Sequence, residues 1–511
     1  MNPKLEDQLF EEILRARTRV YHAGAPTPLQ EIPAMPNTPY RIFIKREDLG
    51  PINAYKWRGA YNAVRVHHEK TGCKTVVAAS AGNHAQGVAL AARMLGLKAK
   101  IYMPISTPMM KQISVKRHGG ASVDIILIGD TYNESSDAAK DYAKKHKLTY
   151  VHPFDDLYTI AGQATIADEI MLSGEGPFDY AFVQIGGGGM AGAVAAWLKV
   201  HNPRIKIIGV EGVDQASMKA SITAGKPVTL KSVDTFCDGT AVARPGDLTF
   251  DICRKYIDAF ITVTNEEVSA AIARMWDAKR VIPEPSGAMG LAGLVKFADE
   301  NPKAVKDKKM LAIVCGANMD FGKISLIAQR AGIGAQRKRF FRFHIGEKKG
   351  GMLELLEKHF QGLNVSEFQY GKTHETEAWP IIGLEAEPER MEKLGSELKK
   401  AKVDVEDVTM DPDVRYRIIN YNPALFQHPL LMQVEFPERK GALRQFMRTI
   451  SAHANVCYFN YAYSGENIGR AMMGFEFASR DDQKKFLSAI KDTPVTCTPV
   501  DDAVRARILS A

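Results

Sequence analysis

Four short segments hold residue types able to do covalent or binding chemistry. They are Asn53-Ala54-Tyr55-Lys56-Trp57-Arg58-Gly59, Ser80-Ala81-Gly82-Asn83-His84-Ala85-Gln86-Gly87, the run Gly186–Gly189 followed by Met190, and Cys315-Gly316-Ala317-Asn318. A lysine amine such as that of Lys56 acts as a nucleophile or base only when partly neutral, which an enclosed site or a cationic neighbourhood brings about. Four consecutive glycines leave backbone N–H groups free to wrap a phosphate at a helix N-terminus. The same letters, Gly187-x-Gly189-x-x-Gly192, also fit a dinucleotide fingerprint, with Glu211 about 20 residues further on as the acid for a ribose. The glycines alone suit a dinucleotide or a phosphate monoester, and the other loops have to decide between them.

These segments need a scaffold, and the pattern between them supplies one. Leu5, Leu9, Ile13 and Val20 suggest an amphipathic first helix, and a Pro-rich stretch follows from Pro26 to Pro39. Strand-like runs are Tyr40–Lys45, Thr75–Ala79, Lys100–Met103, Val123–Leu127, Tyr180–Ile185, Ile205–Val210 and Met310–Val314. Helix-like runs alternate with them: Gly87–Leu95, Tyr132–Lys145, Ile160–Ser173, Met190–His201, Asn265–Lys279 and Ala288–Asp299. Such alternation predicts an α/β fold with parallel sheets covered by helices. Ligands of these sheets lie at the carboxyl ends of strands, where each of the four segments falls.

Composition narrows the function classes. At 511 residues, 45% apolar and 25% charged, the chain is long enough for about three domains. Residues 1–334 carry 41 Lys+Arg against 34 Asp+Glu, and the remainder 26 against 25. The excess is spread out, with only short runs such as Arg337-Lys338-Arg339, so no nucleic-acid partner is expected. The uncharged stretch Tyr180–Leu198 is broken by Gln184 and the glycines, which argues against a membrane span. The six cysteines show no metal-knuckle spacing and no disulfide framework. A start bearing Glu6, Asp7, Glu11 and Glu12 fits neither a signal nor a transit peptide. A cytoplasmic protein is expected, with organelle import of a longer precursor left open.

The tail repeats itself at an offset of 91 residues. Glu347-Lys348-Lys349-Gly350 matches Glu438-Arg439-Lys440-Gly441, Asn364-Val365 matches Asn455-Val456, and Phe368 and Tyr370 match Phe459 and Tyr461. Each copy reads as strand, glycine turn, helix, strand, so two copies of one small βαβ-type module are expected over 340–412 and 430–503. Residues 332–339 read as a linker after a unit spanning 1–331.

With all four segments in order, the chain resembles the fold-type II pyridoxal-phosphate enzymes, and within them the threonine dehydratase family. The resemblance covers nearly the whole chain, because the paired tail modules look like the ACT-like regulatory repeats of its biosynthetic form. It implies two open parallel-sheet lobes of the tryptophan synthase β type, the smaller at about 50–155, followed by two ACT-like α+β modules. It implies pyridoxal 5'-phosphate held by Lys56 as a Schiff base, with Asn83 on its phenolic oxygen. Gly186, Gly187, Gly188, Gly189 and Met190 would cup the phosphate, and Cys315 would face the pyridine nitrogen. A neutral thiol there makes the cofactor a weaker electron sink and favours elimination over transamination.

The substrate α-carboxylate would fall to Ser80, Ala81, Gly82, Asn83 and His84. The implied reaction converts L-threonine to 2-oxobutanoate and ammonia, with Lys56 taking the α-proton and the β-hydroxyl leaving as water; L-serine would give pyruvate. Further expectations are isoleucine as inhibitor and valine as its antagonist, with the turns Lys349–Gly351 and Lys440–Ala442 and the side chains of Tyr370 and Tyr461 as effector-site candidates, and a homotetramer. The resemblance also implies that Glu211 helps bind a monovalent or divalent cation, with Asp214 as a second candidate ligand, and that Glu284 lies near the cofactor ring. The chain departs from the family pattern at Ala54, Trp57 and Cys315, which puts substrate preference in question. The readings weighed against it are a serine/threonine dehydratase or serine racemase, a non-catalytic amino-acid sensor, and a nicotinamide-dependent oxidoreductase.

Overall fold

The computed structural model describes residues 3–33, 38–437, 441–462, 468–493 and 495–509. It divides into two compact units, Met1–Gly334 and Ala335–Ala511.

The first unit is built on two sheets. In spatial order the six-stranded sheet runs Leu29–Ile32, Arg41–Arg46, Lys309–Val314, Tyr180–Gln184, Lys206–Gly212, Ala259–Val263. Leu29–Ile32 is antiparallel to its neighbour and the rest are parallel. The inner strands are nearly continuous apolar runs, as strands buried on both faces must be. The four-stranded sheet runs Val123–Leu127, Lys98–Met103, Thr75–Ala79, Thr149–Tyr150, all parallel. Three of the four chemical loops leave adjacent strands of the larger sheet, after Arg46, Val314 and Gln184, and the Ser80–His84 loop leaves Ala79 of the smaller.

A buried ionic cluster ties the lysine loop to its surroundings. Arg58, on the helix Trp57–Thr71, donates from Nε to Glu47 at 2.7 Å and from Nη2 to Glu169 at 2.9 Å. Lys45 donates to the same Glu169 carboxylate and to the carbonyl of Thr27. Two cations face two anions with their side chains out of water. Trp57, one of the departures from the family pattern, is fully buried in the core beside Gly24 and Gly50, where any added Cβ would collide with its ring.

Some elements depart from the sequence expectation. The helix after the Ser80 loop starts at Asn83, not Gly87. The edge strand Leu29–Ile32 and the helices Met109–Gly119, Asp247–Tyr256 and Lys323–Gly334 are additions to the pattern read from the sequence. The last of these runs through the start of the expected linker, and the next strand begins at Lys338. Gly334 is there because a side chain would collide with the Glu266 backbone, not because the chain is loose.

The second unit holds one eight-stranded sheet. Its order is Val405–Asp407, Lys338–Phe343, Ile381–Glu385, Asn364–Gly371, then Asn455–Ala462, Ile468–Glu476, Leu430–Pro437, Thr496–Pro499. The order is palindromic, so each copy is strand-helix-strand-strand-helix-strand rather than the shorter βαβ-type module expected. Both copies carry the same β-bulge, between Val365 and Glu367 and between Val456 and Tyr458. The copies join by the antiparallel pair Asn364–Gly371 and Asn455–Ala462, in which Gln369 faces Asn460. Those two residues are themselves 91 apart, so an internal dyad passes between them. Phe368 stacks on its own repeat, Phe459, with ring centroids 4.3 Å apart.

Candidate functional site

The lysine loop is held by the strand ends beside it. Tyr55 N donates to the carbonyl of Cys315 at 3.0 Å, and Ala317 N donates to that of Asn53 at 2.9 Å. Lys56 caps the helix Trp57–Thr71 and aims its Nζ at the carbonyl of Pro153, 3.0 Å away. Burial lowers its pKa to about 8, against the opposing pull of Cys315 and Glu284. The amine is thus brought towards the partly neutral state that covalent chemistry requires.

The asparagine loop meets this loop from the other lobe. Asn318 Nδ2 donates to the carbonyl of Ile52 at 2.7 Å and to Asn83 Oδ1 at 2.8 Å. Asn83 Nδ2 in turn donates to Glu284 Oε1 at 2.9 Å. The Asn83 amide is therefore oriented from both sides, and its remaining N–H stays available to a ligand oxygen. Burial, and then Asp238, raise the Glu284 carboxyl to about 8, against the lowering effect of its hydrogen bond from Asn83. Ser80 Oγ accepts from Gly82 N at 3.1 Å, shaping a turn whose backbone opens the helix Asn83–Met94. His84 is buried, with Nε2 3.0 Å from the carbonyl of Val151. Burial and then Lys56 lower its pKa to about 3, so the ring is a neutral part of the loop's support.

The glycine run forms a cradle at a helix start. Gly188, at φ 92°, caps the helix Gly189–His201. A Cβ on Gly186 would stand 3.0 Å from Thr240 Cα, and one on Gly189 would stand 2.9 Å from Phe154 Cβ and 3.0 Å from the Phe154 backbone oxygen. The run is thus pressed against its surroundings with no room for side chains, and the first turn presents N–H groups that have no intrahelical acceptor. An anion fits that arrangement. Cys315 lies buried between these loops, its Sγ 3.6 Å from the Ser286 carbonyl, and burial pushes the thiol up so that it stays neutral.

Lys56, Asn83, the glycine run and Cys315 are therefore joined by one connected set of loops. The amine, the oriented amide, the anion cradle and the neutral thiol fit pyridoxal 5'-phosphate: aldehyde, phenolic oxygen, phosphate and pyridine nitrogen each have a partner of the right chemistry. Sequence reasoning missed Asn318 as the group that fixes Asn83; its place in Cys315-Gly316-Ala317-Asn318 was the available signal.

The cation and effector candidates have other partners within the chain. Glu211 is expected from the sequence as a cation ligand with Asp214, yet its two oxygens accept from Met218 N at 2.9 Å and Lys219 N at 2.8 Å, at the start of the helix Ser217–Ala224. Burial raises its carboxyl to about 7, and Asp214 is exposed. No group of three or more His, Cys, Asp or Glu able to hold a metal ion occurs among the described residues. Tyr370 and Tyr461, the effector candidates, sit at equivalent positions of the two copies but have different partners. The Tyr370 hydroxyl donates to Glu347, whereas Tyr461 packs on Phe436 with ring centroids 5.2 Å apart. Of the turns expected beside them, Lys440 lies outside the described residues.

Residues 20–316 match the family of pyridoxal-phosphate dependent enzymes, and residues 329–418 and 425–507 match the C-terminal regulatory domain of threonine dehydratase. The chain is 38% identical to L-threonine dehydratase biosynthetic IlvA of Haemophilus influenzae over 481 residues, 93% of this chain and 92% of that one. Its Escherichia coli counterpart is 35% identical over 92% of each chain. Among solved structures, the processed form of threonine deaminase isoform 2 from Solanum lycopersicum is 39% identical at a TM-score of 0.60, covering 64% of this chain and 89% of that one. Maize serine racemase is 31% identical at a TM-score of 0.58, covering 63% and 96%.

Proposed function

Because the chain belongs to the pyridoxal-phosphate dependent enzymes and carries the regulatory domain of threonine dehydratases, we propose that it converts L-threonine to 2-oxobutanoate and ammonia. It would thereby catalyse the first committed step of isoleucine biosynthesis as a threonine ammonia-lyase. The observation that carries this reading is the Lys56 amine, lowered to about 8 by burial where the lysine, asparagine and cysteine loops meet.

Bound pyridoxal 5'-phosphate supplies an electron sink for the substrate α-carbon. The chain's own groups do the rest. Lys56 would hold the cofactor through its amine, and the same amine would take the substrate α-proton as a general base. Ser80 and the backbone of Ala81, Gly82, Asn83 and His84 receive the substrate carboxylate ahead of a helix start. Asn83, oriented by Asn318 and Glu284, donates to the phenolic oxygen. The run from Gly186 to Met190 holds the phosphate. The neutral Cys315 thiol places no negative charge beside the ring nitrogen, which favours loss of the β-hydroxyl.

Isoleucine as inhibitor and valine as antagonist, acting in the paired modules, belong to the same reading, as does a homotetramer. A coupling of about 1–3 kcal/mol between sites is enough for feedback control. The six unpaired cysteines are in keeping with a reducing, cytoplasmic setting, and no helix among the described residues is long and apolar enough to cross a membrane. The likeness to maize serine racemase favours one second reading, action on L-serine as an alternative substrate.

The test is threonine turnover by the purified holoenzyme, followed by 2-oxobutanoate release and the absorbance of the bound cofactor. Wild type should release 2-oxobutanoate, with isoleucine suppressing it and valine restoring it. Lys56→Ala should lose both the Schiff-base absorbance and turnover. Preferential formation of D-serine from L-serine would overturn the threonine reading in favour of racemisation.

A further inference from the structure

Chemistry at Lys56 requires a small molecule to reach it, and the two lobes of the first unit are tied together twice at the loops around it. One tie is the hydrogen bond from Asn83 to the buried Glu284. The other is ionic and reaches solvent. Lys111 Nζ lies 2.7 Å from Asp238 Oδ2, and Lys323 Nζ lies 3.7 Å from Oδ1 of the same carboxylate. Lys111 and Asp238 are each 34% exposed and Lys323 30%.

The two ends of the ionic tie are anchored unequally. Asp238 sits in a loop fixed to the larger lobe. The Cys237 carbonyl accepts from Gln215 Nε2 at 3.2 Å, and Thr240 Oγ1 donates to Gln215 Oε1 at 3.2 Å. Thr240 backs onto Gly186 of the glycine cradle, and Gly239 onto Ser286, whose carbonyl meets the Cys315 thiol. Lys111, in contrast, lies in the first turn of the helix Met109–Gly119, which buries only Val115 and Gly119 of its 11 residues. Met109 and Met110 beside it are 67% and 63% exposed. That helix follows the strand Lys98–Met103, whose Tyr102 carbonyl accepts from Ser80 N at the head of the substrate loop. The tie thus runs from the rim beside the substrate loop to the loop behind the glycine cradle.

With the methionines beside Lys111 in solvent, charge rather than apolar packing holds this rim. An ion pair of such exposure shifts an open–closed equilibrium about two- to five-fold and weakens with salt. A contact present both with the site empty and with it full favours the closed form in both states. It therefore slows entry and exit alike and leaves affinity unchanged.

We propose that Lys111 and Asp238 form a latch across the mouth of the cleft that sets how fast small molecules reach Lys56, and not how tightly the site holds them. Lys323, which also donates to the Phe236 carbonyl at 3.3 Å, keeps the carboxylate in place while the latch is open. The inference rests on Lys56 as the cofactor-bearing amine, and not on threonine as the substrate.

Hydroxylamine, a small neutral nucleophile, tests access in the holoenzyme. It displaces Lys56 from the cofactor as an oxime, and the fall in Schiff-base absorbance times the reaction. Lys111→Met and Asp238→Asn should each react about two- to five-fold faster than wild type, and the double variant no faster than either. Lys111→Arg should react as wild type does. Sodium chloride should speed wild type and leave Lys111→Met and Asp238→Asn unchanged. The KM for threonine should stay within about two-fold throughout, and the heat-unfolding midpoint shows that each variant is folded. Single variants reacting at the wild-type rate, effects that multiply in the double variant, or a KM that rises with the access rate would overturn the latch. Wild type that behaves as expected with hydroxylamine but leaves threonine unconverted would overturn the threonine reading and leave the latch standing. Wild type without Schiff-base absorbance in the presence of pyridoxal 5'-phosphate would overturn both.

Discussion

Gly189→Ala sets two effects of opposite sign against each other at the phosphate cradle. Gly189 is the first residue of the helix Gly189–His201, where alanine would ordinarily help helix formation by up to about 1 kcal/mol. The added methyl, however, would stand 2.9 Å from Phe154 Cβ and 3.0 Å from its Cα and backbone oxygen. No change of side-chain rotamer relieves contacts with a backbone, so the helix start must withdraw by about 0.5–1 Å, and overpacking of this kind costs about 1–3 kcal/mol. If the displaced N–H groups hold the phosphate, that cost falls on cofactor affinity, a loss of about 5- to 150-fold. Cofactor-free protein titrated with pyridoxal 5'-phosphate, and separately with pyridoxal, reads it directly. The phosphorylated form should bind more weakly and the unphosphorylated form as before. Gly187→Ala supplies an internal contrast, because its methyl would meet the ring of Phe154, so Phe154→Ala should rescue it but not Gly189→Ala. Equal weakening of both ligands, or unchanged binding of the phosphorylated one, would refute the reasoning.

Other expectations come from the buried charges. Lys56 is lowered from its ordinary 10.5 to about 8, so the unfolded chain binds this proton more tightly; folding is penalised below about pH 8, and the penalty fades as pH rises towards 10.5. In cofactor-free protein Lys56→Met should therefore add about 1–3 kcal/mol to the stability of the first unit at pH 7 and nothing at pH 10.5, measured by denaturant unfolding. His84 is lowered from 6.5 to about 3, so its contribution is present above pH 6.5 and lost as pH falls towards 3; His84→Gln, able to donate to the Val151 carbonyl, should flatten that part of the acid-unfolding curve. Arg58→Met leaves Glu47 and Glu169 short of a partner and should destabilise the first unit by about 3–5 kcal/mol, whereas the exposed pair Arg65–Glu69 can be removed by Arg65→Met for less than about 1 kcal/mol.

The alternating strands and helices of the first unit were legible because a parallel sheet imposes long apolar runs and chemistry at the strand ends. Thr75–Ala79, Val123–Leu127 and Asn265–Lys279 occupy the bounds that their patterns suggest. The glycine run was legible as a phosphate cradle only alongside Lys56 and Asn83, since its letters also spell a dinucleotide site. What escaped depends on partners distant in sequence. Glu211 had the residue type of a ligand, but nothing local tells that the N–H groups of Met218 and Lys219 take both oxygens. Gly334 read as slack for the same reason, its tight neighbour Glu266 lying nearly 70 residues upstream. The repeat was visible at offset 91, while the buried pair Lys372–Glu476 was not, because its two members lie 104 residues apart.

The palindromic sheet also restricts how the regulatory half can be inherited. Cut between its copies, each fragment would expose an eight-residue strand, Asn364–Gly371 or Asn455–Ala462, with a full row of unpaired backbone groups. In the intact sheet the outermost strands are only Val405–Asp407 and Thr496–Pro499, the latter ending in proline. The duplication therefore shelters the adhesive edge of each copy in the other and leaves only short rims. Neither copy is a spare part: loss of one would turn the survivor into a template for aggregation, so gain or loss of this sensor must come as a pair.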